Sequence, residues 1–151
     1  MQKIFLFIFA VTPMLLALGG FTVTQKEMAS GKNKGPIEIE LKGAEEVPGP
    51  GDPDGSGKAK ITFNHDKGEI CYDLSVKNIG EATLAHIHNG AAGQAGDVKV
   101  MFDPPKKGSS KGCTKVDHEL IQDIMANPAN YYVNVHNTEF PKGALRGQLG
   151  K

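Results

Sequence analysis

The chain has no excess charge of either sign: its 151 residues carry 17 Lys and Arg against 17 Asp and Glu. A nucleic-acid binder needs a basic surface to displace phosphate counterions, so neutrality without a block of like charges excludes a general nucleic-acid partner. Gly108-Ser109-Ser110-Lys111-Gly112 lacks phosphate-loop spacing and reads as a flexible loop. Asp52-Pro53-Asp54-Gly55-Ser56-Gly57 starts like a calcium loop, but Phe63 stands where the closing Glu belongs. Internal repeats are absent, and at this length one domain is expected.

Long hydrophobic runs are missing except at the start. Lys3, the almost uninterrupted apolar stretch Ile4–Leu18 and the small residues of Ala17-Leu18-Gly19 read as a secretory signal over residues 1–19. An uncleaved anchor is the alternative, disfavoured by Pro13 and the Gly19-Gly20 break. Residues 20–35 show no periodicity and read as a flexible leader, leaving 36–151 as the domain. Localisation is then periplasmic or extracellular, with no membrane span once the signal is removed. Cysteine is scarce, limited to Cys71 and Cys113. In an oxidising compartment such a pair is expected to be bridged, which excludes a thiol nucleophile; two buried free thiols are the alternative.

What the domain does have is period-2 alternation. Ile37, Ile39 and Leu41 alternate with charged residues; so do Ala59, Ile61 and Phe63, then Ile70, Tyr72, Leu74 and Val76. Further strands are expected at Thr83–His88, Asp97–Phe102, Tyr131–Asn137 and Gly143–Leu149, with 43–57 as a Pro- and Gly-rich loop. Asp117 can cap a short helix with Leu120, Ile121, Ile124 and Met125 on its apolar face, stopped by Asn127-Pro128. The expected fold is all-β: an antiparallel, Greek-key-like sandwich or barrel of seven to eight short strands, with one helix before the last two.

Chemistry concentrates in the histidines. His86 and His88 lie two apart on one strand, so both imidazoles leave the same face, ~6.6–7 Å apart along the strand. His136 shares a face with Tyr132 and Asn134 on a later strand. Imidazoles suit zinc, copper, iron and nickel, with affinity rising toward Cu(II), and three ligands with an open position make an exchange or catalytic geometry rather than a closed one. Hydrogen-bonded structural histidines are the alternative; ring nitrogens converging to within ~4 Å would favour metal. If Thr138–Lys142 is a hairpin loop, residue 136 pairs with 144 and residue 134 with 146. Arg146 then lies diagonally from His136, where a guanidinium can orient a small anion or form an ordinary salt bridge. His65 and His118 sit in a polar turn and a first helical turn and read as solvated.

The segments AHIHNGAAGQAGDV (85–98), YYVNVHNTEFPKGALRGQL (131–149) and GAEEVPGPGDPDGSGKA (43–59) resemble the CHRD domain, first named from chordin and widespread in exported bacterial proteins. The likeness spans roughly residues 38–149. Similarity to the variety carrying CYDL and a later GC implies a Cys71–Cys113 disulfide. Its name-giving proteins suggest a non-catalytic extracellular binding module with structural histidines. More distantly, His86-Ile87-His88, His136 and Arg146 resemble the order of elements in copper-zinc superoxide dismutases. That likeness implies copper on His86, His88 and His136, zinc as a non-redox occupant of the same ligands, and a catalytic Arg146 that guides superoxide. The bridging histidine and the zinc loop have no counterpart, so a separate zinc site is not expected. The fourth copper ligand would come from water, His65 or a carboxylate.

Overall fold

A computed structural model describes residues 35–150. The signal expected at 1–19, and the leader at 20–35 apart from its last residue, lie outside the described residues. Eight strands form one antiparallel sheet: β1 (Ile37–Lys42), β2 (Ser56–Asn64), β3 (Glu69–Lys77), β4 (Ala82–Asn89), β5 (Val98–Phe102), β6 (Ser109–Lys115), β7 (Tyr131–Asn137) and β8 (Leu145–Gln148). A single α-helix, α1 (His118–Ala126), precedes β7 and β8, as expected. The strand order is β5-β4-β7-β8-β1-β2-β3-β6.

The two edges of this sheet come together, making a nearly closed barrel. Instead of a backbone ladder, side chains bridge them. Thr114 Oγ1 donates to the Met101 carbonyl at 2.8 Å and Ser110 Oγ to the Asp103 carbonyl at 2.7 Å. The Tyr72 ring stacks on Phe102 at 4.3 Å, and its hydroxyl donates to Asp103 at 3.0 Å.

The apolar alternation predicts which side faces inward. Leu41, Ala59, Ile61, Phe63, Ile70, Leu74, Ile87, Val133, Val135 and Leu145 fill one core, joined by Ile121 and Ile124 of α1. The Tyr131 hydroxyl donates to Asp123, tying α1 to the start of β7. Asn127 ends the helix ahead of Pro128, whose ring cannot continue it. No helix among the described residues is long and apolar enough to cross a membrane.

One expectation fails. The segment read as a flexible loop, Gly108 to Gly112, mostly belongs to strand β6, SSKGCTK. This edge strand has no buried residue, so its sequence carries no apolar alternation to reveal it. It pairs along β3 and sets Cys113 directly opposite Cys71, with Cα atoms 3.9 Å apart and the sulfurs bridged. The last strand also begins two residues later than expected. Gly143 holds φ +146, a conformation that favours glycine, and Ala144 closes the preceding loop.

Candidate metal centre

The site lies on the outward face of β4, β7 and β8. Ala85 and Ile87 point into the core, so the intervening His86 and His88 project outward. On β7, Val133 and Val135 point in, while Tyr132, Asn134 and His136 point out. Asn134 lies opposite both His86 and Arg146, the register expected for the last hairpin. Outward residues of a barrel are ordinarily solvated, yet all seven residues of β7 are buried. Loops fold over this face and cover it.

The three histidines converge. Their ring centroids are 5.1 Å (His86 to His136), 5.3 Å (His86 to His88) and 6.2 Å (His88 to His136) apart. One nitrogen from each lies within 4.8 Å of the others. Three nitrogens on one metal at ~2.0–2.1 Å lie ~3.3–4.2 Å from one another, so the set stands within about an ångström of coordination distance. His86 Nδ1, His88 Nε2 and His136 Nε2 are buried without a hydrogen-bond partner. A buried polar atom is costly when unpaired, and three such nitrogens in one group form a set that could hold a metal ion.

Backbone carbonyls set two of the tautomers. His88 Nδ1 donates to the Gly96 carbonyl at 2.9 Å and His136 Nδ1 to the Pro141 carbonyl at 3.1 Å. A carbonyl only accepts, so Nδ1 carries the proton in each ring and Nε2 keeps its lone pair toward the centre. Burial also favours the neutral, ligating form. It lowers the pKa of His86 to about 4, with the His136 and His88 charges adding to the effect. Burial likewise lowers His88 and His136, against the raising influence of their carbonyl bonds. The donor set therefore fits copper or zinc.

Arg146 is placed differently from a surface guide. Only 1 % exposed, it donates to the carbonyls of Gln94 and Ala91, both at 2.9 Å, and to Gln148 Oε1 at 3.2 Å. Its guanidinium lies 3.5 Å from the Tyr132 ring centre, and on that ring His88 stacks nearly parallel at 4.9 Å. The Tyr132 hydroxyl accepts from the Gly96 amide, whose own carbonyl holds His88. Arg146 thus anchors the 90–97 loop that orients a candidate ligand. Gly96 is obligatory there: a Cβ would sit 1.4 Å from the Asn89 carbonyl.

Glu46 escaped sequence reasoning. Buried at 8 % exposure in the 43–55 segment, it accepts a hydrogen bond from Asn134, 88 positions away in sequence. Burial pushes its pKa up to about 7, against the lowering effects of Arg146 and of bonds from Val47 and Asn134. No local motif marks it, because its environment is assembled from β7, β8 and the loop before β8.

The remaining candidates lie apart. His65 packs edge-on against His118 at 4.9 Å and contacts Gln122 Nε2, so it does not join the three-histidine group as a fourth ligand. Among the described residues no carboxylate joins that group either. Asp52 uses its carboxylate to accept from the Asp54 and Gly55 amides, forming the turn into β2. Glu69, Cys71 and Cys113 also cluster, but both sulfurs are covalently bound and Glu69 pairs with Lys115 at 3.1 Å.

A family model described as the CHRD domain matches residues 37–149. No curated protein and no solved structure matches the chain. The match covers all eight strands, both histidine-bearing segments and the disulfide, and CHRD domains occur in extracellular proteins, with which the disulfide is consistent. By this match the chain belongs to the CHRD domain family.

Proposed function

We propose that this chain is an exported copper-binding domain, with His86, His88 and His136 as the metal ligands. The observation that carries the reading is the convergence of three buried, unpartnered ring nitrogens, two of them held in the ligating tautomer by backbone carbonyls. Bound copper would supply one-electron chemistry, suited to oxidising one superoxide and reducing the next; zinc on the same ligands would supply none. The chain's own contribution is to present lone pairs on rigid strands and to keep the rings neutral. Tyr132 and Arg146 fix the loop behind His88. We assign Arg146 as a positioning residue rather than as the group that receives the anion, since it is 1 % exposed and three of its five N–H donors are engaged by acceptors under a covering loop.

Elemental analysis of protein matured outside the cytoplasm, with its disulfide formed, tests the reading. One copper per chain is expected, lost in the His86→Ala/His88→Ala double variant. If carefully reconstituted wild type holds no stoichiometric copper, or the double variant binds it equally well, the proposal fails. Superoxide consumption followed by stopped flow then separates an enzyme from a copper carrier.

A further inference from the structure

The large apolar residues that remain exposed among the described residues are Leu84, Val98 and Met101, and they are not scattered. Each is the cross-strand partner of one candidate ligand: Leu84 of His136, Val98 of His88 and Met101 of His86. Paired residues leave a sheet on the same face, which sets Leu84 and Met101 beside the histidine group, while Val98 pairs with His88 across a β-bulge in the same two strands. Apolar side chains standing singly on a surface call for no explanation, but three placed one beside each ligand do.

Met101 is the most exposed of the three, at 58 %. Cross-strand partners have Cβ atoms ~4.5–5.5 Å apart. Methionine adds three rotatable bonds and a soft, polarisable sulfur. With those bonds the Met101 side chain is long enough to extend past its own Cβ toward the neighbouring His86 ring. Thioethers select Cu(I), and an apolar surround disfavours the higher charge of Cu(II).

We infer that Met101 supplies a thioether as the further donor to the three-histidine centre, and that with Leu84 and Val98 it biases the centre toward Cu(I). The inference rests on the copper reading above and names the oxidation state that the site prefers. It also gives the incomplete ligand set a source that neither His65 nor a carboxylate provides.

The test compares wild type with Met101→Leu, which keeps size and apolarity on an exposed strand position and removes only the sulfur. Cu(I) affinity is read by competition with a chromophoric Cu(I) chelator, and Cu(II) affinity by competition with glycine. X-ray absorption of the Cu(I) form reports a sulfur neighbour at ~2.3 Å, the length typical of metal–thiolate bonds. The expected result is a sulfur scatterer in wild type that Met101→Leu lacks. With it should come a loss of at least about tenfold in Cu(I) affinity, and a change below about threefold for Cu(II). Unchanged Cu(I) affinity in the variant, or only nitrogen neighbours in wild-type Cu(I) protein, overturns the Met101 assignment while leaving the histidine centre standing. Wild type that binds neither oxidation state overturns both.

Discussion

Replacing Arg146 separates a positioning role from an anion-guiding one. In Arg146→Met the carbonyls of Ala91 and Gln94 and the Gln148 amide oxygen lose their donor, and buried Glu46 loses its nearby cation. Hydrogen bonds to a charged group are each worth ~1.5–3 kcal/mol, but the guanidinium also had to be desolvated. Breaking a buried charge network of this kind costs about 3–5 kcal/mol, a Tm decrease of roughly 10–20 °C at this chain length. Arg146→Lys keeps the charge without the planar fork that spans two carbonyls, so an intermediate loss is expected. Because the anchored loop holds His88 through Gly96, copper affinity should fall together with stability, by roughly 10–100-fold for a lost supporting contact. Urea unfolding of the metal-free, disulfide-bonded protein and copper competition provide the two readouts. If either variant keeps its unfolding midpoint and copper affinity but consumes superoxide more slowly, the positioning argument is refuted and an anion-guiding role takes its place.

Other outcomes follow from the same geometry. His86, with its pKa lowered to about 4, stabilises the metal-free fold fully above the ordinary histidine range, and that contribution is lost as pH falls from about 6.5 toward 4. Glu46, raised to about 7, acts with the opposite sign: its contribution is complete below the ordinary glutamate pKa and is lost as pH rises through 7. The stability difference between wild type and Glu46→Gln should therefore shift against wild type as pH rises from about 4.5 to 7, measured by urea melts at half-unit intervals. A flat difference would show that Glu46 is not held protonated by burial. Opening the 42-residue separation between Cys71 and Cys113 with Cys71→Ser/Cys113→Ser should cost ~4 kcal/mol in denaturant unfolding; a loss under ~1 kcal/mol would contradict this. Gly143→Ala places a Cβ 2.2 Å from Glu46 Oε2 at a positive φ. It should destabilise by at least about 1–3 kcal/mol, less in a Glu46→Ala background where the clash is gone. Equal costs in the two backgrounds would mean that the carboxylate does not pack there.

The amino-acid sequence by itself determined the strands that face a core, because alternation of apolar and polar residues is a local property that the pleat converts directly into an inside and an outside. It also determined the His-x-His pair on one face, and the pairing of Asn134 with Arg146 followed from the length of one hairpin loop. Strand β6 was illegible for the complementary reason: an all-polar edge carries no alternation, and only pairing with β3 makes it a strand. The closure of the two edges, the burial of Arg146 beneath the 90–97 loop and the capture of Glu46 by Asn134 were decided by tertiary structure alone. Each depends on atoms far apart in sequence whose meeting is set by the order of strands and the paths of loops. The same holds for the tautomers of His88 and His136. Residue type supplies an imidazole, but the carbonyl that selects its proton arrives with the folded loop.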